Sequence, residues 1–365
     1  MSSKATILVT SAAGNTGLQV ALRLRAQGFP VRAVVRAQDA RADRLAAAGA
    51  EVMVGDVYSV ADMRRAMAGT QRAYHCAPTA PNGLHYGAVF AAAAEEARLE
   101  HVVMLGQWLS QPDHPSVFTR DVWLSEAMLR ALPDTTLSVV NPGWFAQNYF
   151  MVMGLAAQLG VMPMPLGDGD VKKNAPPSNE AIAAVAAACL ADPGAHAGKT
   201  YRPTGPELLS PNEIAAAMGE ALGRRVRYRA IGERLFLKAL TANPPGNFSY
   251  QALSQLALYA EEYRRGTFAI GAPTDVVETV GGLAPERFSD TARRAAAAVP
   301  ETQNRLSNRM SAIWGFLKTG LTPTPDLRAI IRDRDLPVLR APVFSNESRE
   351  WAHGHPTPLV NRISA

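Results

Sequence analysis

The stretch Ile7 to Gly17, ILVTSAAGNTG, constrains this chain more than any other. Residues Ala5 to Val9 form a short, β-rich apolar run that reads as a buried strand. It leads straight into Ser11, Ala12, Ala13, Gly14 and Gly17, which carry almost no side chain. A helix beginning near Asn15, and running from Thr16 to about Gln27, then turns its free N–H groups and the positive end of its dipole toward that gap. Such a strand, turn and helix lets backbone approach a pyrophosphate closely. Ser11 stands where the first glycine of the usual spacing falls, which a small residue tolerates unless the turn needs a positive φ there.

The second strand, Pro30 to Val35, ends at Arg36, nineteen residues beyond Gly17. An acid at that point would bind a ribose 2′-hydroxyl and repel a 2′-phosphate, whereas an arginine favours the phosphate. The residues therefore read as an NADP(H) site in preference to NAD(H), with the nearest acid, Asp39, at the start of the next helix. Alternation continues through strands at 51–54, 72–76, 101–105 and 136–140, with helices predicted at 41–48, 60–67, 86–98 and 120–132. Strands and helices alternating in this way give an α/β fold, a Rossmann-like doubly wound parallel sheet. Ligands lie beyond the carboxyl ends of such strands, so Ser11, Arg36, Asp56, Ala77, Gly106 and Asn141 share one rim.

Composition removes other classes. No apolar run is long enough to span a membrane, and MSSKATILVTS lacks the layout of a signal peptide, so a cytoplasmic protein is expected. Cys76 and Cys189 have neither metal-ligand spacing nor a disulfide framework, and His353-x-His355 lacks a further nearby ligand, so no metal is expected. The net charge of +5 is spread out: residues 1–150 hold 13 Lys and Arg against 12 Asp and Glu. Arg224, Arg225, Arg227 and Arg229 alternate with apolar residues like the solvated side of a strand, and no nucleic-acid partner is expected.

The segments SAAGNTG, VRAVVR, GAEVMVGDV, HVVMLG and VVNPGWFAQN, in that order, resemble the successive signatures of the NmrA-like group of atypical short-chain dehydrogenases. The resemblance continues through 179–192, 210–231 and 274–288. It implies a Rossmann-like domain with a smaller, mostly helical α+β C-terminal domain closing over a cleft. It also implies NADP(H) held by Ser11, Gly14, Asn15, Thr16, Gly17 and Arg36, with Asp56 and Val57 near the adenine. Ala77, Pro78, Thr79 and Gly106 would flank the ribose and nicotinamide, and Pro142 to Phe145, including Trp144, would lie beside the ring.

The proton donor is missing from its usual places. Short-chain dehydrogenases pair a tyrosine with a lysine four residues on, so that the cation lowers the phenol pKa. No Tyr-x-x-x-Lys occurs in this chain, and no lysine lies between Lys4 and Lys172. The single lysine that the resemblance would place on the helix before the sixth strand is Val122. Substitute donors are His85, Tyr86, His114 and Asp121. Three readings stay open: a reductase of a hydrophobic carbonyl, enone or quinone; a non-enzymatic NADP(H) sensor that binds a partner protein; and a redox-neutral lyase or epimerase.

Residues 1–150 are read as the cofactor domain, 151–303 as substrate-domain elements and 304–365 as an extension. Trp144, Phe145, Tyr149, Phe150, Met151, Met153, Met162 and Met164 read equally as an apolar cleft lining or as core. Thr241 to Phe248 reads as a loop and a candidate lid. The extension, with a helix near 305–318 and Trp351, could cap the cleft, mediate a homodimer or cover the core.

Overall fold

The computed structural model describes residues 4–78, 80–244, 250–327, 329 and 336–355. Nine strands are described: β1 (Ile7–Val9), β2 (Val31–Val35), β3 (Glu51–Val54), β4 (Arg72–His75), β5 (His101–Leu105), β6 (Thr136–Val140), β7 (Val161–Met164), β8 (Thr200–Tyr201) and β9 (Arg227–Ala230). The first five helices are α1 (Asn15–Ala26), α2 (Ala40–Ala47), α3 (Val60–Met67), α4 (Gly83–Ala97) and α5 (Val117–Arg130). They are followed by α6 (Met153–Leu159), α7 (Asn179–Ala191), α8 (Pro193–His196), α9 (Pro211–Ala221) and α10 (Glu233–Ala242). The last five described are α11 (Tyr250–Arg264), α12 (Val276–Thr279), α13 (Phe288–Ala298), α14 (Leu306–Leu321) and α15 (Arg349–Gly354).

Seven strands form one parallel sheet in the order β3-β2-β1-β4-β5-β6-β8. The first six follow the Rossmann order, which opens a crevice at the switch point between β1 and β4. Buried apolar residues on both faces explain why β1, β2 and β5 are nearly continuous hydrophobic runs. One core joins the sheet to α1, α2 and α7, and a second joins its other face to α3, α4 and α5.

The nucleotide layer is not confined to the first 150 residues. α7 is almost entirely buried against α1 and the sheet, and β8 pairs with β6 at the sheet edge. A helix built of Ala, Ile, Val and Cys with no polar face has nowhere else to go. Between these returns, β7 pairs with β9 in a small parallel sheet, where Arg227 and Arg229 face solvent and Tyr228 faces inward. A third core, rich in Trp, Tyr and Phe, joins that sheet to α6, α9, α11 and α13.

Two helices start earlier than the pattern suggested. α5 begins at Val117 because the Ser116 side chain accepts from the Thr119 N–H, a capping contact that outranks the first apolar residue as a start signal. α4 begins at Gly83, and Asp121 accepts a hydrogen bond from the Leu84 backbone at its first turn.

Candidate functional site

The cofactor side of the crevice is made of backbone. Ser11 has φ +49°, the left-handed conformation that its side chain disfavours. Its hydroxyl donates to the Cys76 carbonyl at 2.8 Å and its own carbonyl accepts from Gly14 N at 2.8 Å, so the turn is tied at both ends. A Cβ on Gly17 would lie 2.3 Å from the Ser11 carbonyl oxygen, and one on Gly14 2.9 Å from the same atom. The α1 N-terminus has no side-chain cap and no acid in its first turn, leaving its N–H groups to an anion. Across the crevice, a Cβ on Gly106 would fall 2.1 Å from Asn141 Oδ1, so the floor also depends on a missing side chain.

Arg36 is exposed at the end of β2, with no ion-pair partner among the described residues. Asp39 is committed elsewhere: its carboxylate caps α2 and holds Arg41 at 2.7 Å. Hydrogen bonds from Arg41 and Ala42 keep that carboxyl below its ordinary value. Asp56 receives the Tyr58 N–H in the turn after β3, with Val57 packed beneath.

A cleft of about 410 Å³ opens from this rim. Gly14, Asn15, Thr16, Ala77, Gly106, Pro142 and Phe145 line it on the cofactor side. The facing wall consists of side chains: Trp108, Phe118, Val122, Met151, Leu256, Tyr259 and Phe268, with Gln107, Gln255 and Asn179 supplying amides. Among the described lining residues only Cys76 and Tyr259 can ionise, and burial pushes the Cys76 thiol up to about 11 and raises the Tyr259 phenol. The cleft is thus uncharged at neutral pH. Tyr259 donates to Gln107 Oε1, and Asn179 Oδ1 is buried without a partner among the described residues.

Trp108 is held on several sides. Its Nε1 donates to Thr267 O at 3.0 Å, Trp351 Nε1 donates to its carbonyl at 2.7 Å, and the Arg202 guanidinium lies 3.5 Å above its ring. Burial disfavours the Arg202 charge, but the Phe268 and Ile270 carbonyls and the indole face receive it. The extension therefore reaches the back of the cleft wall through α15.

The four donor candidates do not converge on this cleft. Tyr86 is fully buried, sharing a 2.7 Å hydrogen bond with Thr10 Oγ1 and stacking 4.8 Å from His75; burial raises its phenol far above the ordinary range. His114 is fully buried too. Its Nδ1 accepts from Ser116 N and its Nε2–H donates to Glu262 at 3.1 Å, an assignment set by the Ser116 donor. Burial lowers the His114 value; burial also opposes the Glu262 charge, but hydrogen bonds from His114, Thr267 and Ser345 outweigh it and hold that carboxyl low. The pair ties α5 to α11 and to the extension. His85 lies outside on α4 beside the Tyr58 carbonyl, and Asp121, pushed up to about 6 by burial, serves the start of α4. Trp144 is likewise core, packed on Tyr149, Tyr263 and Phe268, while its neighbour Phe145 faces the cleft. Pro78 is half-buried after β4, and Thr79 lies outside the described residues. Of the methionines, Met151 lines the cleft and Met153, Met162 and Met164 are core.

The sequence pattern of the NmrA-like family matches residues 3–282. The chain belongs to that family. It is 32% identical over 294 residues to an NAD(P)H azoreductase of Xenophilus azovorans, covering 80% of this chain and 98% of the relative. It is also 32% identical over 303 residues to (4-alkanoyl-5-oxo-2,5-dihydrofuran-3-yl)methyl phosphate reductase of Streptomyces griseus, covering 81% and 100%. Among solved structures, the NADPH complex of the quinone oxidoreductase QOR2 from Escherichia coli superposes with a TM-score of 0.67 at 21% identity, over 79% of this chain and 99% of that one. This NmrA-like chain fits NADP(H) on its own geometry: Cβ-free approaches at Gly14, Gly17 and Gly106, an uncapped α1 N-terminus, and a free arginine at the end of β2.

Tyr259, Gln107, Gln255 and Phe268 were not among the residues singled out from the sequence. Ala252, Gln255, Leu256 and Tyr259 sit at i, i+3, i+4 and i+7 on α11, so a search for one helix face carrying both amide and phenol would have found them. Of the segment Thr241 to Phe248, read as a loop and candidate lid, Thr241 and Ala242 instead end α10, and 245–248 lie outside the described residues. No helix among the described residues is long and apolar enough to cross a membrane.

Proposed function

We propose that this NmrA-like chain is a cytoplasmic, NADP(H)-dependent reductase of a hydrophobic enone, quinone or comparable conjugated acceptor. The observation that carries the reading is the uncharged cleft: a cofactor cradle faces aromatic and aliphatic side chains, with one phenol and a few amides among the described lining residues. NADPH, when bound, supplies two electrons and one hydrogen to an acceptor held against it. The protein's part is then to exclude water, orient a planar molecule between Phe145 and the Trp108–Phe268 wall, and stabilise charge on the acceptor oxygen. Tyr259 suits the last task because burial keeps its hydroxyl protonated at neutral pH, and its single O–H, which donates to Gln107 Oε1 here, would turn to a developing oxyanion once an acceptor enters. The second hydrogen arrives as a proton from solvent, which balances the reduction.

A redox-neutral lyase or epimerase would want a strong base, and no Asp, Glu, His or Lys stands among the described lining residues. Both curated relatives named above are reductases, which supports the same reading.

The test is an NADPH titration by fluorescence, followed by quinones, enones, azo compounds and aryl ketones while reduced nicotinamide is monitored. Oxidation dependent on an apolar acceptor is expected. Tight binding with no acceptor-dependent oxidation would favour a sensor, and no binding would remove the cofactor reading itself.

A further inference from the structure

Helix α14 carries six of its seven exposed large apolar residues on the side facing away from the protein. Asn308, Ala312, Gly315 and Thr319 form the inner face, where Asn243 Nδ2 donates to Gly315 O at 3.1 Å and to Thr319 Oγ1 at 3.2 Å, and Asn308 donates to Pro300 O at 2.9 Å. A Cβ on Gly315 would lie 3.3 Å from Asn243 Oδ1, so the inner face is small because the body lies close. Opposite it, Leu306, Met310, Ile313, Trp314, Leu317 and Leu321 form an exposed stripe, from 38% at Ile313 to 83% at Leu321, while Phe316, 64% exposed, stands on the flank outside these six. At about 100° per residue these six fall within about 50° of one line along the helix. With large apolar side chains of order 200 Å² each, they leave roughly 700 Å² uncovered by the described residues, more than a typical monomer's largest patch and close to one partner's share of a stable interface.

The order of the stripe is symmetric about the point between Ile313 and Trp314. A two-fold axis there, with the helices antiparallel, sets Leu306 of one copy on Leu321 of the other, Met310 on Leu317, and Ile313 on Trp314. A self-complementary patch of this kind is what an isologous dimer requires. A lipid surface would accept the apolar residues in any order, so the symmetry favours a second copy even though Arg305, Arg309 and Lys318 make the helix basic. We infer that the chain forms a two-fold homodimer through antiparallel pairing of α14. The helix lies beyond residue 282, where the family match ends, and the inference does not depend on the reductase reading.

Sedimentation velocity of the full chain between 1 and 100 μM, with vesicles of anionic phospholipid as a separate arm, tests it. A species of twice the 39.0 kDa chain mass is expected, and Met310→Glu/Leu317→Glu should weaken dimerisation roughly 100-fold while leaving NADPH affinity unchanged. Register is read by single cysteines: oxidation should link Ile313→Cys, which lies beside the axis, far faster than Leu306→Cys, which lies at the far end. A wild-type monomer at 100 μM would overturn the inference, as would a dimer that survives the double substitution or equal cross-linking at both cysteines. A monomer that co-sediments with the vesicles would assign the stripe to lipid instead.

Discussion

The two walls of the cleft are built on opposite principles. On the cofactor wall, Gly14, Gly17 and Gly106 work through atoms they lack, and the surface a ligand meets is backbone. On the acceptor wall, Trp108, Phe118, Leu256, Tyr259 and Phe268 present side chains from segments more than 100 residues apart. The difference teaches that the first wall is fixed by local geometry and the second by tertiary packing, so each should fail in its own way when altered.

The largest expected effect is on the first wall. Gly17→Ala puts a methyl group against the Ser11 carbonyl and should weaken NADPH binding by at least about 100-fold, or ~3 kcal/mol, measured by fluorescence titration with circular dichroism as the folding control. Tyr259→Phe should do the reverse, lowering kcat for an enone by about 100-fold while leaving NADPH affinity within about twofold. If both substitutions changed the same parameter, the division between the walls would be lost. Arg36→Asp should cost about tenfold in NADPH affinity and shift preference toward NADH; unchanged NADPH affinity would remove Arg36 from the site.

Beneath the walls, two buried histidines sharpen the contrast. His114 is fully hydrogen-bonded, whereas neither ring nitrogen of His75 finds a partner among the described residues, and burial pushes its value down to about 3. A depressed value means the folded state holds the neutral ring, while the unfolded chain takes up a proton below about 6.5. Stability is therefore lost as pH falls from 6.5 toward 3, and His75 should account for about 1.6 kcal/mol between pH 6.5 and 5. Denaturant titration of His75→Leu at both pH values should show that much less pH dependence than wild type; an equal slope would mean the ring is not buried neutral.

The same contrast explains what could be read from the sequence. The strand–helix alternation of the parallel sheet, the small-residue turn at Gly14–Gly17 and the arginine at the end of β2 were legible because each is written in short segments with a local pattern. Even the concern over Ser11 was well placed, since the turn does need a positive φ there and meets it with a hydrogen bond to Cys76. Val122, where a lysine was sought, does face the cleft as an apolar residue. The four donor candidates do not line the cleft, and a histidine or tyrosine in a loop or at a helix start carries no sign in the sequence of which way it faces. Tyr86 and His114 turned inward to satisfy Thr10 and Glu262, while Tyr259 reached the cleft from a helix, 152 residues beyond the Gln107 it meets.

The central claim, direct reduction in an uncharged cleft, is tested most directly by single turnover with NADPH deuterated at C4 and a cyclic enone, with the product analysed by mass spectrometry. Transfer of deuterium from one face of the cofactor into the product carbon, with a rate that follows the label, is the predicted result. Product without the label, or NADPH left unoxidised while tightly bound, would contradict it.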